Sequence, residues 1–225
     1  MRTPTTRPRR LWPYVLIGLV IVGAIIAGLT VYGPWRQVEP TASPTSTPEP
    51  TETSVDDIEP TGCLGGSDRD AAMVLAAQSA APRTEAGAAD FAASFVRWLQ
   101  RYPYPSAEEA REVGNAALAS ESFTSDLPKY LAAEPDLSGG IVAKGTEYNM
   151  NTVPGVWFVE SASDDEIVVS IGSGFVVDGS LSPSLRSTIT VSLEWSDGGW
   201  VVSGAEGTRT VSDLYEIGTT FTGGC

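Results

Sequence analysis

The stretch "STITVSLEWSDGGWVVSGAE", residues 187–206, decides the fold class. Apolar and polar side chains alternate along its first half, with the apolar set at Ile189, Val191, Leu193 and Trp195. A period of two is typical of a strand that buries one face. The turn residues "SDGG" at 196–199 then lead into a second apolar run. The stretch therefore predicts an antiparallel hairpin with a short turn.

A second hairpin is predicted upstream of the first. The apolar runs "GVWFVES" (155–161) and "EIVVSIGSGFVV" (166–177) flank the turn "ASDD". The glycines of "GSGF" at 172–175 lack the spacing of a phosphate-binding or nucleophile motif, so inside a strand they predict a bulge. Together the two hairpins predict an antiparallel sheet of about four strands.

Helical patterns precede these strands. One helix is predicted within 67–80, with Ser67 and Asp70 at its start, and a short helical turn is predicted near 127–134. Between them, Ser106 and Glu109 form a capping box for a helix in 105–120. The clearest stripe has period 3.6 and runs through Ala88, Phe91, Ala92, Phe95, Trp98, Leu99 and Tyr102, with Thr84 as its cap and Pro103 as its end. Helices followed by an antiparallel sheet indicate an α+β domain with the helices packed on one face of the sheet.

The N-terminal part of the chain has the pattern of a membrane anchor. Residues 11–32 contain no charge and would span about 33 Å as a helix, enough for a bilayer core. Four arginines precede this segment, which places residues 1–10 in the cytoplasm and the remainder outside. The alternative is a cleaved secretory signal. The apolar core of such a signal is usually shorter than residues 11–32 and is followed by a cleavage site of small residues.

Residues 33–62 predict a stalk, because prolines, threonines and acidic residues dominate them and such a composition cannot bury a core. From Gln37 onward the stalk would extend for about 80 Å in polyproline geometry. The domain outside the membrane is then predicted at 63–225.

Charge and composition narrow the classes of function. Five of the 14 basic residues and none of the 28 acidic ones precede Gln37, so the outer part is strongly acidic. An acidic surface repels phosphates, which argues against nucleic acid as a partner. The chain has no histidine, which removes the commonest general base and metal ligand. We therefore expect no catalytic residues, no metal and no cofactor. The cluster Asp164, Asp165 and Glu166 could hold calcium or act as a base, but its position between strands favours a solvated turn.

The chain has two cysteines, Cys63 and Cys225, which bracket the outer domain. An oxidising compartment would convert such a pair to a disulfide, whereas intermolecular pairing or two free thiols are the alternatives. Cys63 is not a lipoprotein cysteine, because about thirty residues separate it from the apolar segment.

The aromatic stretch "RWLQRYPYP" contains Trp98, Tyr102 and Tyr104. Packing of these rings between helix and sheet is the favoured interpretation, and the rim of a pocket or interface is the alternative.

The order of helices and strands resembles the cone-shaped fold of the nuclear-transport-factor-two-like (cystatin-like) superfamily. A cytoplasmic stub, one span and an outer domain of this kind also resemble the bitopic assembly proteins of conjugation and type IV secretion channels. The segment "GCLGGSDRDAAMVLAAQ…FVRWLQRYPYP" is similar to actinobacterial membrane proteins found with conjugative elements. The resemblance implies a non-enzymatic, membrane-anchored domain that binds protein partners. It leaves open whether the chain forms a homo-oligomer. The alternative is an extracytoplasmic module that binds a small ligand or acts as a sensor.

Overall fold

A computed structural model describes residues 59–134, 136–206 and 209–225 of the chain. They belong to one compact unit, Thr51–Cys225. The predicted cytoplasmic stub (1–10), the predicted span (11–32) and all of the predicted stalk before Glu59 lie outside these residues. None of the helices that the structure describes is long and apolar enough to cross a membrane.

Within the residues that the structure describes, five helices form where the sequence supplies caps. They are α1 (Ala71–Ala80), α2 (Glu85–Leu99), α3 (Ala107–Ala117), α4 (Leu127–Ala133) and α5 (Val211–Ile217). The predicted cap of α2 by Thr84 and the capping box of Ser106 and Glu109 are confirmed. Helix α1 begins later than expected, because Asp70 rather than Ser67 accepts a hydrogen bond from the backbone N–H of Met73.

One antiparallel sheet carries the helices. Its strands are β1 (Arg101–Tyr102), β2 (Tyr148–Ala162), β3 (Glu166–Val177), β4 (Ser180–Ser196), β5 (Gly199–Glu206) and β6 (Thr219–Thr220). The spatial order is β1-β2-β3-β4-β5, and β6 also pairs with β2. The predicted α+β class is confirmed, and the sheet curls into a half-barrel, which is consistent with a cone-like fold.

The stretch at 187–206 forms the predicted hairpin. Asp197 and Gly198 adopt positive φ angles of 51° and 86°, which a tight turn between twisted strands requires. Val191 and Leu193 are buried, as the alternation predicts. The predicted irregularity in "GSGF" appears as a register shift between Gly174 and Val176 in the pairing of β3 with β4.

Helix α2 is the centre of the core. Every residue from Gly87 to Leu99 is buried, and the helix contacts strands β2 to β5. The predicted stripe of Phe91, Phe95 and Trp98 faces this main core. The helix ends at Leu99, three residues earlier than predicted, because the chain turns into β1 at Arg101.

The C-terminal segment crosses the outer face of the sheet. Helix α5 buries Leu214 there, so the helices do not all pack on one face of the sheet, contrary to the prediction. A Cβ atom at Gly172 would lie 2.8 Å from the ring of Tyr215, so the absence of a side chain on β3 makes room for this helix. The chain then forms β6 against β2 and ends beside the N-terminal segment of the domain.

Candidate functional site

The surface that the structure describes contains a polar groove of about 1240 Å³. We call it the groove. Its walls are the end of α1, one side of α3, the segment 118–125 with the start of α4, and the β4–β5 turn. Polar lining residues from these walls include Gln78, Ser79, Arg111, Asn115, Ser120, Ser122, Thr124, Ser125, Asp126, Lys129, Ser196 and Asp197.

Local contacts hold the walls of the groove in place. Gln78 Nε2 donates to the carbonyl oxygens of Ala116 and Trp200, both at 2.9 Å, and so joins α1, α3 and β5. Helix α4 packs closely on α3, where a Cβ atom at Gly114 would be in van der Waals contact with Leu127 at 3.4 Å. These contacts give the groove a fixed framework under an exposed polar lining.

The segment 118–123 covers the free edge of β5. The backbone N–H of Ala119 donates to the carbonyl of Val202 at 2.9 Å, and that of Phe123 donates to Ser203 at 3.0 Å. An uncovered edge strand would offer a template for pairing with other chains. Because this edge is occupied, a ligand in the groove would meet side chains rather than a sheet edge.

Two cations of the groove have no partner among the described residues. Arg111 and Lys129 make no side-chain ion pair or hydrogen bond there. Six other basic residues after the stalk are engaged with carboxylates or backbone carbonyls of the described region, namely Arg69, Arg83, Arg97, Arg101, Arg186 and Arg209. Lys144, outside the groove, has only a longer-range electrostatic interaction with Asp136. The groove thus exposes two free cations of an acidic domain, beside Asp126 and Asp197 on its own lining.

A second site, which we call the terminal junction, lies where residues 60–68 meet α2 and the C-terminal tail. Asp90, Ser94 and Arg97 form a buried polar stripe on α2 at positions i, i+4 and i+7. The Asp90 carboxylate accepts from the backbone N–H groups of Gly62 at 2.6 Å and Thr61 at 3.2 Å. Burial raises the pKa of Asp90, and these hydrogen bonds oppose that shift.

The rest of the stripe holds the same segment. Ser94 Oγ donates to the carbonyl of Leu64 at 2.7 Å. Arg97 Nη2 donates to the carbonyls of Gly66 at 2.9 Å and Asp68 at 3.2 Å. Residues 59–62, which the sequence assigned to the stalk, are therefore part of the folded domain, and Pro60 is buried.

The C-terminal tail closes the terminal junction. The backbone N–H groups of Thr222 and Gly223 donate to the carbonyls of Pro60 and Thr61 at 3.0 and 3.2 Å. Cys63 and Cys225 lie at disulfide distance, with Cα atoms 5.5 Å apart. This geometry agrees with the intramolecular pairing that the sequence suggested.

The predicted aromatic residues do not share one site. Trp98 is fully buried in the main core, with its ring centroid 5.7 Å from that of Phe95. Tyr102 and Tyr104 pack edge to face at 5.2 Å in a separate cluster around Phe175. Neither the groove nor the smaller cavity beside the β2–β3 turn includes these three residues in its lining. Their contacts favour the packing interpretation over a pocket.

The acidic cluster at 164–166 lies on the tight turn between β2 and β3. All three side chains are exposed, and Asp165 forms an ion pair with Arg83. A smaller cavity of about 560 Å³ lies beside the turn, lined in part by Arg83 and Asp164. Within the described residues, no group of three or more cysteine or acidic side chains is arranged to hold a metal ion.

Comparisons with protein-family models, with curated proteins and with solved structures found no match to the chain. The candidate site therefore rests on geometry and charge alone.

Proposed function

We propose that the chain is a non-enzymatic, membrane-anchored protein whose outer domain binds a segment of a partner protein in the groove. The proposal depends on one observation: the lining of the groove combines two free cations, Arg111 and Lys129, with hydroxyl and amide groups. Such groups can pair with the carbonyls, N–H groups and carboxylates of an extended polypeptide.

The size of the groove supports a polypeptide ligand. Sites for small molecules usually enclose about 300–1,000 Å³ and are mostly apolar. The groove encloses about 1240 Å³, and its lining is mainly serine, threonine, amide and charged side chains. A segment of several residues fits these properties better than a small apolar molecule does.

A non-enzymatic role agrees with the side chains that the chain provides. Histidine is absent from the sequence, and the two cysteines lie at disulfide distance from each other. The Ser–His and Cys–His nucleophile–base pairs need at least one of these residues. The resemblance to assembly proteins of conjugation and secretion channels supports a place in a complex of that kind.

The anchor is tested by protease treatment of intact cells. We expect the domain to be released whole and a tag on residues 1–10 to be protected, because the charges around 11–32 orient the span. Protection of the whole chain, or a mature N-terminus beyond residue 32, would contradict the anchor.

The binding role of the groove is tested by photo-crosslinking of the full-length chain in its native membrane. A photoreactive residue at Ser125 lies in the groove, and one at Asp178 lies on the distant β3–β4 turn as a control. We expect one discrete protein adduct from position 125 and none from position 178.

Charge reversal then decides whether the adduct depends on the free cations. The double variant Arg111→Glu and Lys129→Glu should reduce the adduct at least tenfold, while Lys144→Glu, outside the groove, should leave it unchanged. An adduct that is insensitive to the double variant would refute the proposal.

A further inference from the structure

The chain enters the domain close to the groove. A Cβ atom on Gly65 would lie 2.2 Å from the carbonyl oxygen of Met73 and 3.1 Å from the Cβ atom of Ala77, so Gly65 packs directly on α1. Ala77 precedes Gln78, which lines the groove. An extended chain spans at most about 3.6 Å per residue, so Glu59, the first residue that the structure describes, lies within about 25 Å of this wall. The segment that precedes Glu59 therefore starts within reach of the groove.

The segment 45–52, "TSTPEPTE", carries two carboxylates that can reach the groove. Glu52 and Glu49 lie seven and ten residues before Glu59. At about 3.1 Å per residue in polyproline geometry, these two positions have a reach of about 22 and 31 Å from Glu59. That geometry has three residues per turn, so both glutamates would face one side of the segment, about 9 Å apart. The threonines of the segment supply hydroxyl groups for the polar lining of the groove.

The charges of the groove suit this acidic segment. Arg111 and Lys129 form no ion pair or side-chain hydrogen bond among the described residues, so both are available to carboxylates. Of the two acidic residues in the lining, Asp126 already accepts from the backbone N–H of Lys129 at 3.0 Å. Acidic residues outnumber basic ones in the domain from Cys63 onward, and the net charge of the domain therefore repels an acidic segment from its other surfaces.

We propose that segment 45–52 of the same chain occupies the groove and is displaced when the partner segment binds. This inference rests on the proposed function, because both ligands use the cations Arg111 and Lys129. A ligand tethered by a short flexible linker has an effective concentration in the millimolar range, so weak contacts are enough to fill the groove. The apparent affinity for the partner then falls with the fraction of grooves that are empty. The stalk thus regulates the groove and, while docked, holds the domain nearer to the predicted anchor.

The first test uses the full-length chain, purified in detergent without any partner. With a photoreactive residue at Ser125, we expect an intrachain cross-link to residues 45–52, mapped by mass spectrometry after proteolysis. Glu49→Gln combined with Glu52→Gln should lower the yield of this cross-link about fivefold, which is the effect of losing two exposed ion pairs. Glu39→Gln, which removes an acidic residue of the stalk outside the segment, should leave the yield unchanged.

A charge swap identifies the groove cations as the groups that hold the segment. Arg111→Glu combined with Lys129→Glu should remove the cross-link, and adding Glu49→Lys with Glu52→Lys should restore it. In a mixture of unlabelled and ¹⁵N-labelled chains, both halves of each cross-linked peptide should carry the same label. Failure of the charge swap to restore the cross-link, or peptides of mixed label from the stalk of a second copy, would overturn the inference.

The second test measures the partner adduct from Ser125 in the native membrane. We expect Glu49→Gln combined with Glu52→Gln to raise the yield of that adduct about fivefold, because the groove is then more often empty. An unchanged partner adduct together with a missing intrachain cross-link would overturn the inference and leave the proposed function intact. An intrachain cross-link without any partner adduct would support the docked stalk and contradict the proposed function.

Discussion

Replacing Cys63 with serine should destabilise the outer domain without preventing it from folding. A cross-link stabilises chiefly by restricting the unfolded chain, and the effect grows with the loop that it closes. The separation of Cys63 and Cys225 is 162 residues, for which chain entropy gives a loss of about 5 kcal/mol, or about 15 °C in Tm. The hydrogen bonds of Thr222 and Gly223 to residues 60–61 should keep the tail in place in the folded state.

The assay is guanidinium unfolding of the full-length chain, followed by tryptophan fluorescence in the presence and absence of reductant. Because both cysteines belong to one cross-link, Cys63→Ser, Cys225→Ser and the double variant should lose the same free energy of unfolding. Reduced wild-type protein should match them. The reasoning would be refuted if the free-energy losses of the two single variants added in the double variant. It would also be refuted if reductant did not change the free energy of unfolding of the wild-type protein. A dimer that separates on reduction would refute it as well.

Three further predictions concern single side chains. Asp90→Ala should lower the free energy of unfolding by about 3 kcal/mol in the same assay, because two backbone N–H groups lose their buried acceptor, and Asp90→Asn should lower it by less. Gly172→Ala should cost about 1–3 kcal/mol because its Cβ atom would lie 2.8 Å from Tyr215, whereas Gly174→Ala, with its closest contact at 3.3 Å, should cost less; equal losses would contradict the packing of α5. The pKa of Glu160 lies below its ordinary value of 4.5, chiefly because its carboxylate accepts a hydrogen bond from Arg209. The ionised Glu160 therefore stabilises the folded state fully above pH 4.5, and this stabilisation is lost as the pH falls through the folded-state pKa. In acid titrations, Glu160→Gln should flatten the loss of stability below pH 4.5; a curve parallel to wild type would exclude this contribution.

The parts of the fold that the sequence predicts are those with local periodicity. The alternation at 187–206 and the stripe through Phe91, Phe95 and Trp98 each extend over many residues, so burial of one face is visible in the order of side chains. Helix α5 was not predicted, because seven residues with only Leu214 buried carry too little pattern. The two-residue strands β1 and β6 escape prediction for the same reason.

Both candidate sites depend on contacts between distant segments. Asp90, Ser94 and Arg97 occupy the polar positions of an amphipathic helix, which normally face solvent. They are buried only because residues 61–68 lie across them, and no local signal reveals that covering. In the same way, nothing in the sequence distinguishes Gln78 and Lys129 from other polar residues of helices. Only the tertiary fold brings them to one groove.

The terminal junction has a mechanical consequence. Tension that reaches the domain through the chain before Pro60 passes at Gly62 to Asp90 on α2 and, through Thr152, to β2. The load is therefore shared between the central helix and a central strand, and their contacts must yield together rather than one after another. A bridge from Cys63 to Cys225 would add the last residue of the chain as a third support. A domain held in this way can resist a pull between the anchor and the partner segment that we propose.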